Sequence, residues 1–258
     1  MEFLPVIIAA LIGSCLSFFC GFGLGTILLP AFLLFFPIDV AVAASAIVHM
    51  LNNLFKLWLV GKQADRKMII RFGFTSVIGS LLGALLLTAV AQLPLLASYS
   101  IGAHAYDIRW INLLLGIIIV VFAFLEIHPR FKSIKIGNGL LPFGGLISGF
   151  FGGLSGHQGA LRSAFLMKSG MNKEAFIGTR VVIACMVDVT RITVYATQIK
   201  SGWGMIHPSL VIAATLAAFV GSYLGNQWMK KTELRLMNLI ISISLVVFGV
   251  LMAAGFIV

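Results

Sequence analysis

Eight stretches of mainly apolar residues, at about 3–36, 38–60, 68–92, 109–127, 138–168, 172–198, 208–228 and 236–257, take up almost the whole chain. A helix crossing a bilayer needs roughly 20 such residues. Two stretches are longer than that and broken by glycine. The first is interrupted at Gly21-Phe22-Gly23-Leu24-Gly25, the fifth at Gly152-Gly153-Leu154-Ser155-Gly156-His157-Gln158-Gly159. Broken segments in corresponding halves of a membrane protein point to a transport site. Composition agrees: 60% of residues are hydrophobic and 10% charged, against about 25% charged in soluble domains. This excludes a soluble enzyme, a nucleic-acid-binding domain and a disordered regulator. The net charge of +10 then reads as cytoplasmic loops. Cys15, Cys20 and Cys185 all sit inside apolar stretches, which argues against a disulfide framework, and their spacing fits no metal site. Met1 and Glu2 provide no basic n-region, so the first stretch is expected to stay in the mature chain.

The two halves resemble each other. Ser17-Phe18-Phe19 precedes the first break as Gly149-Phe150-Phe151 precedes the second. Gly79-Ser80-Leu81-Leu82-Gly83 matches Gly221-Ser222-Tyr223-Leu224-Gly225. Asn112-Leu113 with Val120-Val121-Phe122 matches Asn238-Leu239 with Val246-Val247-Phe248 at the same spacing. Ordered matches of this kind indicate an internal duplication, with repeats at 1–130 and 131–258. The paired Gly-xxx-Gly faces read as close helix packing.

Orientation follows from positive charge. If all eight segments cross, the basic loop residues divide seven against six and orient nothing. If segments one and five re-enter instead, one side holds Lys62, Arg66, Lys67, Arg130, Lys132, Lys135, Lys168, Lys173, Lys230, Lys231 and Arg235, and the other only Arg109 and Lys200. That topology puts both termini outside and gives each half three crossings, so the halves are inverted. The expected fold is therefore an all-α integral membrane protein of two inverted four-segment repeats, each a glycine-rich hairpin plus three crossing helices. Trp58, Trp110, Trp203 and Trp228 fit an interfacial belt.

Irregular backbone at membrane depth is tolerated only beside protein or water, so the breaks are expected to line a cavity. The short helix after each break presents N–H groups without intrahelical partners and the positive end of its dipole. Two such starts converging near the midplane favour an anion. Arg162, Arg180, Asp188 and Arg191 lie in apolar context, and the last three share one side of a helix. Asp188 and Arg191 suit an i,i+3 ion pair, which cannot absorb three arginines against one carboxylate. In the first half His49, Asn52, Asn53 and Lys56 lie on one face; shifted by 135, His49, Asn53 and Lys56 overlay Ala184, Asp188 and Arg191. Lys56 reads as snorkelling to the interface. His49 fits either a cavity ligand or an interhelical hydrogen bond. Ser155 near His157 is the only nucleophile–base pair in view, and no acid partner is assignable to it.

The motif GFGLGTILLP at 21–30 and the motif GFFGGLSGHQGALRSAFL at 149–166 resemble the paired glycine-rich motifs of the TauE/SafE sulfite-exporter family, over nearly the whole chain. The first copy lacks the usual triple glycine. In the second, His157 and Gln158 stand in place of glycines, and Arg162 and Arg180 are added, which marks a distinct branch. The resemblance implies a small transporter with duplicated four-segment halves that exports sulfite or small organosulfonates.

The expected function is thus a secondary transporter, an exporter of a small anion, in a bacterial inner membrane. The anion would be held by backbone around Gly23, Gly25 and Thr26 and around Gly156 and Gly159. His49, Asn52, Asn53, His157 and Gln158 would orient it, and Arg162, Arg180 and Arg191 would supply charge. Asp188 is the carboxylate positioned to take up a proton. No catalytic residue, cofactor, metal or nucleic-acid partner is expected; lipid and the anion are the partners. An anion channel, a membrane-embedded enzyme and an accessory subunit are the alternatives.

Overall fold

The computed structural model describes residues 3–17, 24–102, 104–128, 138–167, 169–198, 207–228 and 235–257. Among the described residues the eight apolar stretches become ten helices, because each glycine-broken stretch yields two. In the first half these are α1 (Leu4–Leu16), α2 (Leu24–Leu33), α3 (Ile38–Val60), α4 (Arg66–Ala91) and α5 (Trp110–Ile127). In the second they are α6 (Leu141–Ser155), α7 (Gly159–Leu166), α8 (Lys173–Gln198), α9 (Pro208–Trp228) and α10 (Arg235–Ala253). Pro5 and Pro142 occupy the first turns of α1 and α6, where a missing N–H is harmless and the fixed φ suits a helix. Asp65 caps α4 by accepting from the Met68 N–H at 3.0 Å. Gly156, with φ of +82°, ends α6 in the left-handed conformation.

Both glycine-broken stretches fold back on themselves. The Phe3 ring, just before α1, lies 5.5 Å from that of Phe35, just after α2, and Gly13 faces Leu24 and Ile27. In the second half, Gly144 near the start of α6 packs on the Phe165 ring near the end of α7. At the other end Ser148 Oγ donates to the Gln158 carbonyl at 3.2 Å. The 13 residues of α1 and 15 of α6 reach only about 20–22 Å, short of the roughly 30 Å hydrocarbon layer. By contrast Ile38–Gln63, Arg66–Ala91 and Pro208–Gln227 are long and apolar enough to cross a membrane.

Four helix pairs assemble the bundle. α4 packs on α6 through a seam without room for side chains: Gly145, Gly149 and Gly153 press on the backbone of Phe72, Ser76 and Ser80, and Gly79 and Gly83 press on that of α6. α1 packs on α9, where Gly221 meets the backbone of Leu11 and Cys15. These are the close approaches that small residues permit in lipid. α5 crosses α10 at Gly116 and Gly249. α3 and α8 run antiparallel: the end of α3 at Val60 lies beside Gly178 near the start of α8, and Thr179 Oγ1 accepts from the Asp65 N–H at 2.8 Å.

The helix-only expectation needs one correction. Between α4 and α5 the chain forms an antiparallel hairpin of β1 (Leu95–Ile101) and β2 (His104–Arg109). Gly102, with φ of +62°, accommodates its turn. The hairpin rests on the end of α10: Tyr99 OH donates to the Ala254 carbonyl at 2.6 Å, and Phe256 packs on Tyr106 at 4.6 Å. An apolar-run count misses it because the segment is too short and too mixed to span.

Side-chain polarity is inside out. Ile78, Leu81, Leu82, Leu85 and Leu86 of α4 and Ile212, Leu216 and Val220 of α9 are exposed, while Ser14, His49, Asn52, Asp188 and Arg191 are buried. In water such apolar faces would drive association; in lipid they are the solvent-facing side. The chain is an integral membrane protein.

Candidate functional site

The second break is built from Gly156. Its N–H donates to the Gly152 carbonyl at 3.0 Å, and its own carbonyl accepts from the Gln158 N–H at 3.0 Å. The first intrahelical bond of α7 runs from the Arg162 N–H to the Gln158 carbonyl, also 3.0 Å. The N–H groups at 159–161 therefore precede the ladder and have no acceptor within the helix. The positive φ selects glycine here, and so does crowding. A Cβ on Gly156 would come 2.8 Å from Arg191 Nη1.

The start of α2 meets this break directly. A Cβ at Gly25 would lie 3.5 Å from the Gly156 carbonyl oxygen and 3.7 Å from His49 Cδ2. The start of α2 thus touches the break between α6 and α7, with His49 of α3 beside the same position. Gly25 and Thr26 are buried there. Gly23 lies outside the described residues.

Beside the junction is a cavity of about 40 Å³, lined by Leu24 of α2, His49, Asn53 and Lys56 of α3, Arg162 of α7, Arg180 of α8, and Ser17. A single water needs about 10–15 Å³ on this measure, so the space suits a few waters or a small oxyanion. Arg162 is 5% exposed, and its Nη1 donates to Gln158 Oε1 at 2.9 Å. Its Nε, and Gln158 Nε2, make no hydrogen bond among the described residues. Buried donors left without acceptors are costly and rare; an anion would satisfy them. Arg180 is half-buried, with its guanidinium 5.2 Å from the Phe176 ring centre.

Asp188 sits behind this wall, fully buried and fully engaged. Its Oδ1 accepts from Arg191 Nε at 3.0 Å and from Arg191 Nη2 at 2.8 Å. Its Oδ2 accepts from Asn53 Nδ2 at 2.8 Å and lies 2.7 Å from His49 Nδ1. A carboxylate only accepts, so the hydrogen is assigned to His49 Nδ1. The expected Asp188–Arg191 ion pair is present, and it spends Arg191 on structure. Such a pair is stable when buried only because its remaining hydrogen-bonding sites are met.

The other expected residues separate into two groups. Asn52 leaves the cavity wall and ties three helices together. Its amide nitrogen donates to Ser222 Oγ at 2.7 Å, the Ala218 carbonyl at 3.1 Å and Ser14 Oγ at 3.1 Å. His157 turns toward Ser155, with Nδ1 3.0 Å from Ser155 Oγ, and packs 5.9 Å from Phe122, which meets Phe151 edge-on at 5.1 Å. Ser155 Oγ itself donates to the Phe151 carbonyl at 3.2 Å.

Lys56 corrects the sequence reading. It does not snorkel: it is 5% exposed, lines the cavity and donates to Ser17 Oγ. The signal was its place on the His49–Asn53 face, i+7 and i+3; what hid it was the assumption that a lysine near a helix end reaches the interface. Tyr195, whose OH donates to the Gly153 carbonyl, was not visible as a support of the break.

The family model for Sulfite exporter TauE/SafE matches residues 6–252. No curated protein and no solved structure matches the chain. A match running from α1 to α10, over a bundle of apolar helices with polar groups turned inward, makes the chain a member of the TauE/SafE sulfite-exporter family, a family of membrane transporters.

Proposed function

We propose that the protein is a secondary transporter that exports a small anion, sulfite or a small organosulfonate, across a bacterial inner membrane. The observation that carries this reading is the meeting of the start of α2, at Gly25, with the break at Gly156 that leads into α7, beside a cavity faced by Arg162, Arg180 and Lys56. Backbone N–H groups at both starts bind the oxygens. Arg162 supplies a charge-assisted hydrogen bond through the donor it holds unused. His49 and Asn53 orient the ligand from α3. Gln158 holds the Arg162 fork.

The halves 1–130 and 131–258 are inverted repeats in this reading. The packing supports it, since counterpart helices exchange partners: α4 packs on α6 while α9 packs on α1, α3 crosses its counterpart α8, and α5 crosses its counterpart α10. Asn53 and Asp188 are 135 residues apart, the repeat offset, and bond directly, as equivalent residues do beside a two-fold axis. The end of α3 beside the start of α8 puts Lys62 and Lys173 at the same end of the bundle. That supports re-entrant α1–α2 and α6–α7 hairpins, both termini outside, and a basic cytoplasmic face. The cavity lies toward that face, the loading side for an exporter. Packing of His157 on Phe122, which itself meets Phe151 edge-on, favours alternating access over an open pore.

A monovalent anion that moves without a coupled ion is driven outward by a negative interior, by about 2.3 kcal/mol per 100 mV. Proteoliposomes loaded with sulfite or methanesulfonate test the proposal. Saturable efflux that depends on the protein is expected; absence of flux of either anion, in both directions, overturns it.

A further inference from the structure

We propose that the ε-amino group of Lys56 carries a proton together with the transported anion, as an ammonium in the loaded site and an amine in the empty one. This rests on the anion-transporter reading above and adds the coupling ion to it.

Three cationic side chains face the cavity, Lys56, Arg162 and Arg180; His49 lines it too, but its Nδ1 donates its hydrogen to Asp188 Oδ2 and lies 3.4 Å from Arg191 Nη2, so a second proton there would add a cation beside a guanidinium. Arginine keeps its proton in proteins; of the three only lysine can give its proton up. Asp188 was the sequence candidate, but both of its oxygens are occupied by Arg191, His49 and Asn53, and it does not line the cavity. Lys56 does, from a buried position in the membrane-embedded part of α3.

The titratable and charged groups around Lys56 are known from each neighbouring helix. α1 contributes Cys15, α7 Arg162, and α8 Arg180 and Cys185; on α3 itself His49 is within electrostatic range. Ser17 Oγ accepts from Nζ, and the oxygen of Asn52, oriented as above, lies 3.3 Å from Nζ. Neutral oxygens can serve an amine as well as an ammonium, since each retains a donor. The two arginines cannot adjust. With an anion bound the ammonium has a counter-charge; without it, three cations would face one another across the cavity.

The charge count makes this useful for transport. With a monovalent anion and an ammonium, the three side chains and ligand sum to the same charge as the empty site with an amine. The site then crosses the low-dielectric barrier with the same charge in both legs of the cycle, each leg avoids the cost of an added buried charge, and an anion carried with its proton runs on its own gradient. The chemistry balances as R–NH2 plus H+ giving R–NH3+ on loading, and the reverse on release.

Calorimetry of the purified full-length protein tests this. Binding of methanesulfonate, which does not itself take up a proton, is measured in two buffers of different ionisation enthalpy at pH 7.5 (roughly neutral), with sulfite as a second probe. Wild type is expected to take up about one proton per anion bound, and Lys56→Arg about none, whatever its affinity. Lys56→Met, expected to take up none as well, serves if the arginine variant fails to fold. Anion binding by wild type without proton uptake overturns the inference and leaves the transporter reading standing. Undiminished uptake in either variant overturns it too and moves the proton to the His49–Asp188 pair. Failure of wild type to bind either anion removes the transporter reading and this inference with it.

Discussion

Gly25, in the first turn of α2, lies against the carbonyl of Gly156, the left-handed residue at the break between α6 and α7: a Cβ at Gly25 would stand 3.5 Å from that oxygen. Residues 131 positions apart in sequence thus bring the start of one short helix against the break that precedes the other, inside the bundle.

Gly156→Ala is expected to abolish transport while leaving the helices in place. The left-handed backbone costs a side-chain-bearing residue about 1–2 kcal/mol, and the new Cβ would come 2.8 Å from Arg191 Nη1. Circular dichroism close to wild type, with sulfite efflux lost, is the expected pair of results; normal efflux would show that the break tolerates a side chain.

Arg162→Ala is expected to weaken anion binding by more than about tenfold, the loss of one charge-assisted hydrogen bond. The protein should still fold, because Arg162 bonds only Gln158 among the described residues. Thermal stabilisation by sulfite measures it. An undiminished shift in melting temperature would take Arg162 out of the site.

Asp188→Asn leaves Arg191 and His49 with weakened partners in a fully buried position. Breaking one member of a buried pair costs roughly 3–5 kcal/mol, so a large drop in melting temperature is expected. The double variant Asp188→Leu with Arg191→Leu should recover much of it, since removing both charges removes the desolvation cost. A double variant no more stable than Asp188→Asn would assign the loss to packing.

Cysteines introduced singly at Lys62 and Arg109, in a background free of Cys15, Cys20 and Cys185, report orientation. A membrane-impermeant maleimide added to intact cells should label Arg109→Cys and spare Lys62→Cys. The opposite pattern would invert the topology and put the cavity on the outer side.

Much of the architecture was legible because lipid imposes simple constraints. Apolar runs gave the helices, and the glycine breaks marked where two of those runs divide into two helices each; at Gly156 glycine serves a backbone conformation that other residues rarely take. The Asp188–Arg191 pair followed from helical spacing. The β1–β2 hairpin did not follow, because its strands are held by Tyr99 and Phe256 contacts across 150 or so positions of chain that no local pattern encodes. Lys56 was misplaced for a related reason: whether a lysine near a helix end reaches the interface depends on what packs around it, here Ser17, Arg162 and Arg180.

The sequence by itself determined that the chain is a membrane protein, where its helices break, and which family it joins, since hydropathy, glycine placement and motif are properties of residues in order. Only the tertiary structure decided which polar groups face the cavity and which are consumed elsewhere. Arg191 goes to Asp188, Asn52 to Ser14 and Ser222, and Lys56 to the cavity. A helical face holds several polar residues within one turn, and the neighbour each one meets is set by helices distant in sequence, through contacts of a few ångströms that periodicity cannot specify.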